Sequence, residues 1–97
     1  MNSLKLSGIL SKELILKTDK NGKNYFLGWL KIKDGTVRSF FFFDPDYDLS
    51  MRLADLKVNQ ELTLQGFWSK RTQAFVASDF YVEEVEEKNI FGLEYSL

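Results

Sequence analysis

Aromatic and basic residues are interleaved in one segment of the chain, Asn24 to Phe43, which reads NYFLGWLKIKDGTVRSFFFF. Asp34-Gly35 divides it into two strands, because this dipeptide supplies the positive φ of a tight hairpin turn. Alternation along the first strand places Tyr25 and Trp29 on one sheet face together with lysines. Aromatic rings stack on planar ligands, and ammonium groups neutralise anions. Because a solvent face rarely carries this much aromatic surface, we take this face as the candidate functional surface.

The second strand of this hairpin contains four successive phenylalanines, so alternation alone leaves its register open. We predict that Arg38, Phe40 and Phe42 point outward, while Phe41 and Phe43 point into the core. A shift of one residue would exchange the two pairs of phenylalanines. The roles of these residues therefore depend on the register.

Composition limits the classes of function that the chain can support. With 97 residues and 44% hydrophobic residues, we expect one domain with one core. The sequence has neither His nor Cys, so it lacks the commonest general base and metal ligands. We therefore expect no enzyme, no metal site and no cofactor. No apolar run approaches the roughly 20 residues of a membrane span, and the N-terminus does not resemble a signal peptide, so we expect a cytoplasmic protein.

Charge is distributed unevenly along the chain although the net charge is only -1. Residues 1–38 hold eight basic and three acidic residues, whereas residues 83–97 hold one basic and five acidic residues. Such asymmetry is typical of proteins that contact nucleic acid and carry a separate acidic tail, although mixed charge is also normal on any protein surface.

Five strands and one helix are predicted from the hydrophobic pattern. The first strand runs from Leu4 to Lys17, with Gly8 at a position where it can bend, and Asn21-Gly22 forms the turn that follows. After the central hairpin, Asp48 caps a helix over Leu49 to Leu56. A last hairpin, Glu61 to Trp68 and Gln73 to Val85, turns at Lys70-Arg71, and we assign Trp68 and Phe80 to the core. The predicted order is β-β-β-α-β-β.

This order resembles the OB-fold, an all-β, five-stranded Greek-key barrel with a short helix between strands 3 and 4. The long glycine-bearing first strand is similar to that of OB-folds. So is Lys57 to Val82, KVNQELTLQGFWSKRTQAFVASDFYV, in which an alternating strand, a basic loop and a final aromatic strand follow one another. The resemblance covers about Leu4 to Val85. It predicts an OB-fold domain at residues 1–85 and an acidic, apolar tail at residues 86–97.

The resemblance also implies a binding site. OB-folds bind oligonucleotides or oligosaccharides through strands 2 and 3 and through the loops 1–2 and 4–5. In this chain the strand positions are Tyr25, Trp29, Lys31, Lys33, Arg38, Phe40 and Phe42, and the loop positions are Lys20, Lys23, Lys70 and Arg71. Aromatic rings can stack on bases and cations can neutralise phosphates, whatever the base sequence.

The small size and the tail resemble the compact single-stranded DNA-binding proteins of phages and mobile elements. This likeness implies strand protection in replication or recombination, with DNA and RNA both open as the ligand. The tail residues Phe91, Leu93 and Tyr95 are expected to recruit a replication or recombination protein, although the tail could instead pack on the barrel or on a second subunit. A homo-oligomer is therefore possible. The alternative function is an OB-type protein-interaction module or accessory subunit, in which the exposed aromatics form a protein interface.

Overall fold

The computed structural model describes residues 3–83, which form six strands and one helix. The strands are β1 (Leu4–Leu10), β2 (Ile15–Thr18), β3 (Asn24–Lys31), β4 (Val37–Phe43), β5 (Glu61–Ser69) and β6 (Ala74–Val82), and the helix is α1 (Tyr47–Ala54). The strand order in the sheet is β1-β5-β6-β4-β3-β2, and β1 also pairs with β3. This pairing closes a five-stranded barrel in which β4 and β6 are parallel. The topology is that of an OB-fold, as the sequence predicts.

The first predicted strand, Leu4 to Lys17, is divided into β1 and β2. As a result the helix lies between the fourth and fifth strands of the chain and not between the third and fourth. Strand β1 pairs with β5 as far as Ile9 and then with β3. A side chain at Gly8 would overlap the carbonyl oxygen of Lys31, so glycine allows β3 to approach and close the barrel.

Both predicted glycine turns form hairpins. Gly22 and Gly35 have φ angles of 83° and 90°, a region that glycine adopts without strain. In the turn between β2 and β3, the Asp19 carboxylate accepts hydrogen bonds from the backbone N–H groups of Asn21 (2.8 Å) and Lys23 (2.9 Å). The local sequence therefore determines where β2, β3 and β4 reverse direction.

Helix α1 begins two residues earlier than the sequence predicts. Asp46, and not Asp48, is the N-cap, and its side chain accepts a hydrogen bond from the Leu49 N–H at 2.8 Å. The buried face of the helix is centred on Leu53. Since α1 follows directly after β4, it covers the end of the barrel at which β4 finishes. Within residues 3–83 no helix is long and apolar enough to cross a membrane.

The core contains Phe40 and Phe42, and both are fully buried. Their predicted outward orientation is wrong. The register of the β3–β4 hairpin pairs Phe40 with Gly28 and Phe42 with Phe26, and both partners point inward. A side chain at Gly28 would overlap the ring of Phe40, so the glycine provides the space that this ring fills.

The remaining large core side chains come from β1, β3, β5, β6 and helix α1. They include Leu10, Phe26, Leu30, Leu53, Leu62, Leu64, Phe75 and Phe80. The Phe42 ring contacts the rings of Phe40 and Phe80 edge to face, with centroids 6.0 and 5.9 Å apart. The burial of Phe80 agrees with its assignment to the core from the sequence.

Candidate functional site

The outer face of β3 and β4 carries a group of three aromatic residues, Tyr25, Phe41 and Phe43, which we call the aromatic cluster. Tyr25 lies opposite Phe43 in the hairpin. The rings of Phe41 and Phe43 are stacked, with centroids 5.3 Å apart and an interplanar angle of 11°. Tyr25 is tilted against both, at 5.9 and 5.8 Å. Phe43 is 48% exposed, while Tyr25 and Phe41 are half-buried. The assignment of Phe41 and Phe43 to the core is therefore wrong.

An apolar row runs round the outside of the barrel from one strand to the next and includes the outer face of β3 and β4. Cross-strand pairing joins one residue from each of five strands, Ile15, Leu27, Phe41, Val76 and Phe67. The two ends of the row, Ile15 and Phe67, are 41% and 42% exposed. A continuous apolar surface of this kind on a barrel exterior indicates an interaction site.

Trp29 lies further along β3 on the outer face, opposite Ser39, and is half-buried. The Lys12 ammonium nitrogen lies 5.1 Å from the centroid of its ring, within the range of a cation–π interaction. Tyr25 and Trp29 thus both have the outward orientation that alternation predicts. Their roles in binding stay predictions.

Lysines lie at both ends of the hairpin that carries the aromatic cluster and Trp29. Lys31 is exposed at the end of β3, and Lys33 is exposed in the turn before β4. Lys20 and Lys23 are exposed in the turn between β2 and β3. Lys17 on β2, at the base of the same turn, lies directly opposite Tyr25. The sequence indicates Lys17, Lys20 and Lys23 together as the lysines of this hairpin, but not that Lys17 pairs with Tyr25.

The Lys23 ammonium group also forms an ion pair with Asp44 at 3.3 Å. Both side chains are more than 60% exposed, so the pair contributes at most about 1 kcal/mol to stability. The Lys23 ammonium group is therefore only weakly held by Asp44.

Arg38 does not lie on the outer face with Tyr25. It is paired with the buried Leu30, so its side chain follows the inner register and emerges at the barrel end where β4 begins. There its guanidinium carbon lies 5.9 Å from the centroid of the Trp68 ring. Trp68 is 45% exposed, which contradicts its assignment to the core. Lys70 and Arg71 are exposed in the adjacent β5–β6 turn, as predicted.

The turn that precedes Arg38 is fixed by a carboxylate. Asp34 accepts hydrogen bonds from the hydroxyl and the backbone N–H of Thr36, at 2.6 and 2.8 Å. These two bonds, with a smaller contribution from the charge of Arg38, hold the pKa of Asp34 below its ordinary value. The Asp34 carboxylate is thus engaged within its own turn.

Four of the ten acidic residues within residues 3–83 lie at or next to the helix. Asp44, Asp46, Asp48 and Asp55 are all exposed at or next to α1. The side chains of residues 3–83 form no group of three or more that could hold a metal ion. Phe91, Leu93 and Tyr95, the predicted recruiting residues of the tail, lie outside the described residues, as does the predicted domain boundary at residue 85.

No family model matches the chain, and no curated protein matches it in sequence. Solved structures do match its fold. The mitochondrial single-stranded DNA-binding protein Rim1 from S. cerevisiae is 12% identical with a TM-score of 0.70, over 86% of this chain and 94% of Rim1. The dimeric N-terminal domain of PriB from Thermoanaerobacter tencongensis is 17% identical (TM-score 0.63; 87% and 98% covered). The small single-stranded DNA-binding protein from Streptomyces coelicolor is also 17% identical (TM-score 0.58; 86% and 95% covered). At these identities the similarity establishes the fold.

Proposed function

We propose that this protein binds single-stranded DNA, with little sequence preference, on the outer face of β3 and β4. The observation that carries the proposal is the aromatic cluster, whose rings are partly open to solvent on a strand face bordered by lysines. Every base has a π face, and stacking contributes about 1 to 3 kcal/mol per base. The cluster can therefore hold bases without reading their edges.

Lysines supply the second part of the binding free energy. Lys17 beside Tyr25, Lys31 at the end of β3 and Lys23 in the β2–β3 turn lie along the border of the face. Each phosphate that they neutralise releases condensed counterions, so binding weakens as salt rises, with a logarithmic slope of about -0.7 per contact on a single strand. Contacts to the phosphates of the strand do not depend on the base sequence.

The comparisons support the proposal through the descriptions of the neighbours. Rim1 and the Streptomyces coelicolor protein are both described as single-stranded DNA-binding proteins. By analogy we propose a non-enzymatic, cytoplasmic protein that protects single strands during replication or recombination. RNA shares the stacking and phosphate chemistry, so competition between DNA and RNA of equal length decides between the two.

A fluorescence titration of the protein with oligothymidylate at two salt concentrations tests the proposal. Tyr and Trp emission is expected to fall as bases stack, and the affinity is expected to fall at the higher salt concentration. No binding at low salt, or an affinity that does not change with salt, would overturn it. The alternative, an OB-type interaction module or accessory subunit, predicts instead that changes at the aromatic cluster disrupt a protein assembly.

We also propose two features of assembly. The tail residues Phe91, Leu93 and Tyr95 would recruit a replication or recombination protein, and the chain could form a homo-oligomer, as the dimeric PriB domain does. Native mass spectrometry of the full chain and of a chain ending at residue 85, each alone and mixed with a replication or recombination protein, tests both features. The oligomer is expected in both proteins if the barrel carries the interface.

A further inference from the structure

Helix α1 carries apolar side chains on the side that faces solvent as well as on the side that faces the core. Leu49 and Leu53 pack on the barrel. Tyr47 and Met51 precede them by two positions, or about 200° of helical rotation, and so point away from the barrel. Tyr47 is 79% exposed, more than any other large hydrophobic residue within residues 3–83, and Met51 is 52% exposed. The solvent side of a helix is normally polar, so this pair forms an apolar face that the described residues leave uncovered.

A surface depression of about 350 Å³ adjoins this face, between the end of α1 and the end of β6. Asp55, one helical turn after Met51, lines the depression together with Leu56, Tyr81 and Val82. Leu56 and Val82 are half-buried, whereas Tyr81 is 45% exposed. The volume is in the lower part of the range of ligand pockets, so the depression can receive one large side chain of a bound peptide.

The charge on this side of the barrel is predominantly negative. Residues 44–57 contain two basic residues, Arg52 and Lys57, and four exposed aspartates, Asp44, Asp46, Asp48 and Asp55. The Arg52 guanidinium is engaged by β6, because it donates hydrogen bonds to the Phe80 carbonyl oxygen (2.7 Å) and to the Asp79 carboxylate (3.2 Å). It therefore does not neutralise the aspartates of the helix. The Tyr81 ring has the Lys5 ammonium nitrogen 5.8 Å from its centroid, so its π face attracts cations.

We propose that the outer face of α1 and the adjoining depression dock a cationic amphipathic helix of a partner protein. We call this region the helix-side surface, and it comprises Tyr47, Asp48, Met51, Asp55 and Tyr81. Apolar side chains of the partner cover Tyr47 and Met51, and one of them enters the depression. Lys or Arg side chains on the flanks of the partner helix pair with Asp48 and Asp55. Aromatic residues and Met are enriched in protein interfaces, and charge complementarity sets the choice of partner.

The same charges argue against other occupants of the helix-side surface. A nucleic acid strand is repelled by the aspartates, and so are residues 83–97 of this chain, which hold five acidic residues and one basic residue. A purely apolar segment leaves Asp48 and Asp55 without partners. The surface contains none of the residues proposed to contact the strand. The partner and single-stranded DNA are therefore expected to bind independently, and the inference goes beyond the proposed function.

The first test measures the affinity of the full chain for a fluorescent, helix-forming peptide of Leu and Lys that is about 14 residues, or four turns, long. The double variant Tyr47→Gln/Met51→Gln is expected to bind at least about 10-fold more weakly, because Gln preserves the helix but removes the apolar face. Val37→Thr changes a residue that is 51% exposed at the other end of the barrel, and it is expected to bind within about 2-fold of the unchanged protein.

The difference between the variants carries this test, because the acidic tail attracts the same peptide in all of them. Equal affinities of the double variant and the unchanged protein would overturn the proposal. So would equal binding of a control peptide in which Glu replaces every Lys, since charge complementarity would then play no part.

The second test maps the site of the Leu and Lys peptide on the ¹⁵N-labelled protein. The amides of α1, Tyr81 and Val82 are expected to shift, whereas those of β3 and β4 are expected to stay in place. Shifts concentrated on β3 and β4 would overturn the proposal.

Two further measurements on the double variant distinguish the remaining occupants. Its affinity for oligothymidylate is expected to lie within about 2-fold of that of the unchanged protein, and a larger loss would show that the helix-side surface contacts the strand instead. Native mass spectrometry identifies self-association. An oligomer that the unchanged protein forms and the double variant does not form would assign the surface to a second copy of the chain and overturn the proposed partner.

Discussion

Phe42 and Phe43 are adjacent in the sequence but lie on opposite faces of β4, and replacing each by Ala separates binding from folding. Phe43 is 48% exposed and stacks on Phe41, whereas Phe42 is fully buried. Phe43→Ala removes a stacking surface for a base, so we expect binding to oligothymidylate to weaken by about 5-fold to 150-fold. Phe42→Ala leaves the outer face intact, so the folded protein is expected to keep its affinity.

The effects on stability are expected to be in the opposite order. Burial of a whole Phe side chain contributes about 1.5 to 3 kcal/mol, so the half-buried Phe43 contributes about 1 kcal/mol, and its stacking on Phe41 adds about 0.5 to 1.5 kcal/mol. Phe42→Ala also leaves a cavity beside Phe40 and Phe80, so we expect a loss of about 3 to 5 kcal/mol. In a domain of this size each kcal/mol lowers Tm by roughly 4 to 8 °C.

Two measurements on the same samples test this prediction. Circular dichroism during heating gives Tm, and the anisotropy of a labelled oligothymidylate at a temperature where both variants are folded gives the affinity. Phe42→Leu is a milder change at the same position, should the Ala variant not fold. An equal loss of affinity in Phe42→Leu and Phe43→Ala would contradict the assignment of Phe43, and not Phe42, to the binding face. So would an affinity of Phe43→Ala equal to that of the unchanged protein.

Three further predictions concern packing, pH and salt. Gly28→Ala places a methyl group against the buried Phe40 ring and is expected to lower the free energy of unfolding, measured with urea, by about 1 to 3 kcal/mol. An unchanged urea midpoint would contradict the close packing of Phe40 on Gly28. The hydrogen bond from the Thr36 hydroxyl is the main cause of the lowered pKa of Asp34. The ionised Asp34 carboxylate therefore stabilises the folded state at pH values above its ordinary pKa of 3.8, and this contribution is lost as pH falls through the folded-state pKa. Asp34→Asn should therefore lower Tm at pH 7 and approach the unchanged protein below about pH 4, whereas a constant difference would contradict this origin. Lys31→Gln should reduce the magnitude of the slope of log affinity against log salt concentration by about 0.7. The control Lys57→Gln, beyond the helix, should leave this slope unchanged, and equal slopes for the two variants would argue against a phosphate contact at Lys31.

The turns and the bend of the first strand could be predicted because each depends on a local backbone requirement. Gly22 and Gly35 take positive φ angles that few other residues adopt, and Gly8 lies where β3 approaches β1 closely. Gly22 and Gly35 were sufficient to place two of the three hairpins, whereas the barrel was predicted from the order of the strands and the helix together with the glycine-bearing first strand. The division of the first strand into β1 and β2 was not predicted, because Leu14 and Leu16 resume the even-numbered apolar phase of Leu4, Leu6 and Leu10 after the polar residues 11–13.

The register of β4 could not be predicted from its own sequence, since four identical rings give no alternation. The deciding residue lies on the neighbouring strand. Gly28 leaves an inward space that only a large partner such as Phe40 fills, and this partnership fixes Phe42 inside and Phe41 and Phe43 outside. The face and its aromatic character were thus predicted from the sequence, whereas two of its rings were assigned to the wrong side.

The exposure of Trp68 depends on where the barrel ends along β5 and not on the irregularity of the β5–β6 hairpin, whose extra residue is on β6. The pairing shifts between Gln65 and Gly66, and a side chain at Gly66 would overlap the backbone of Val76. Alternation correctly predicts that Trp68 follows the inner register. It does not indicate that the barrel has ended by that position, and this is why the ring is exposed.

Chemical-shift mapping of the ¹⁵N-labelled protein with oligothymidylate identifies the surface of the barrel that contacts the strand. We predict that the largest amide shifts fall on β3 and β4 between Tyr25 and Phe43, with further shifts at Lys70 and Arg71 in the β5–β6 turn. The amides of α1, which is surrounded by acidic side chains, are expected to shift least. Shifts concentrated on α1, with β3 and β4 unchanged, would contradict binding on the outer face of the barrel.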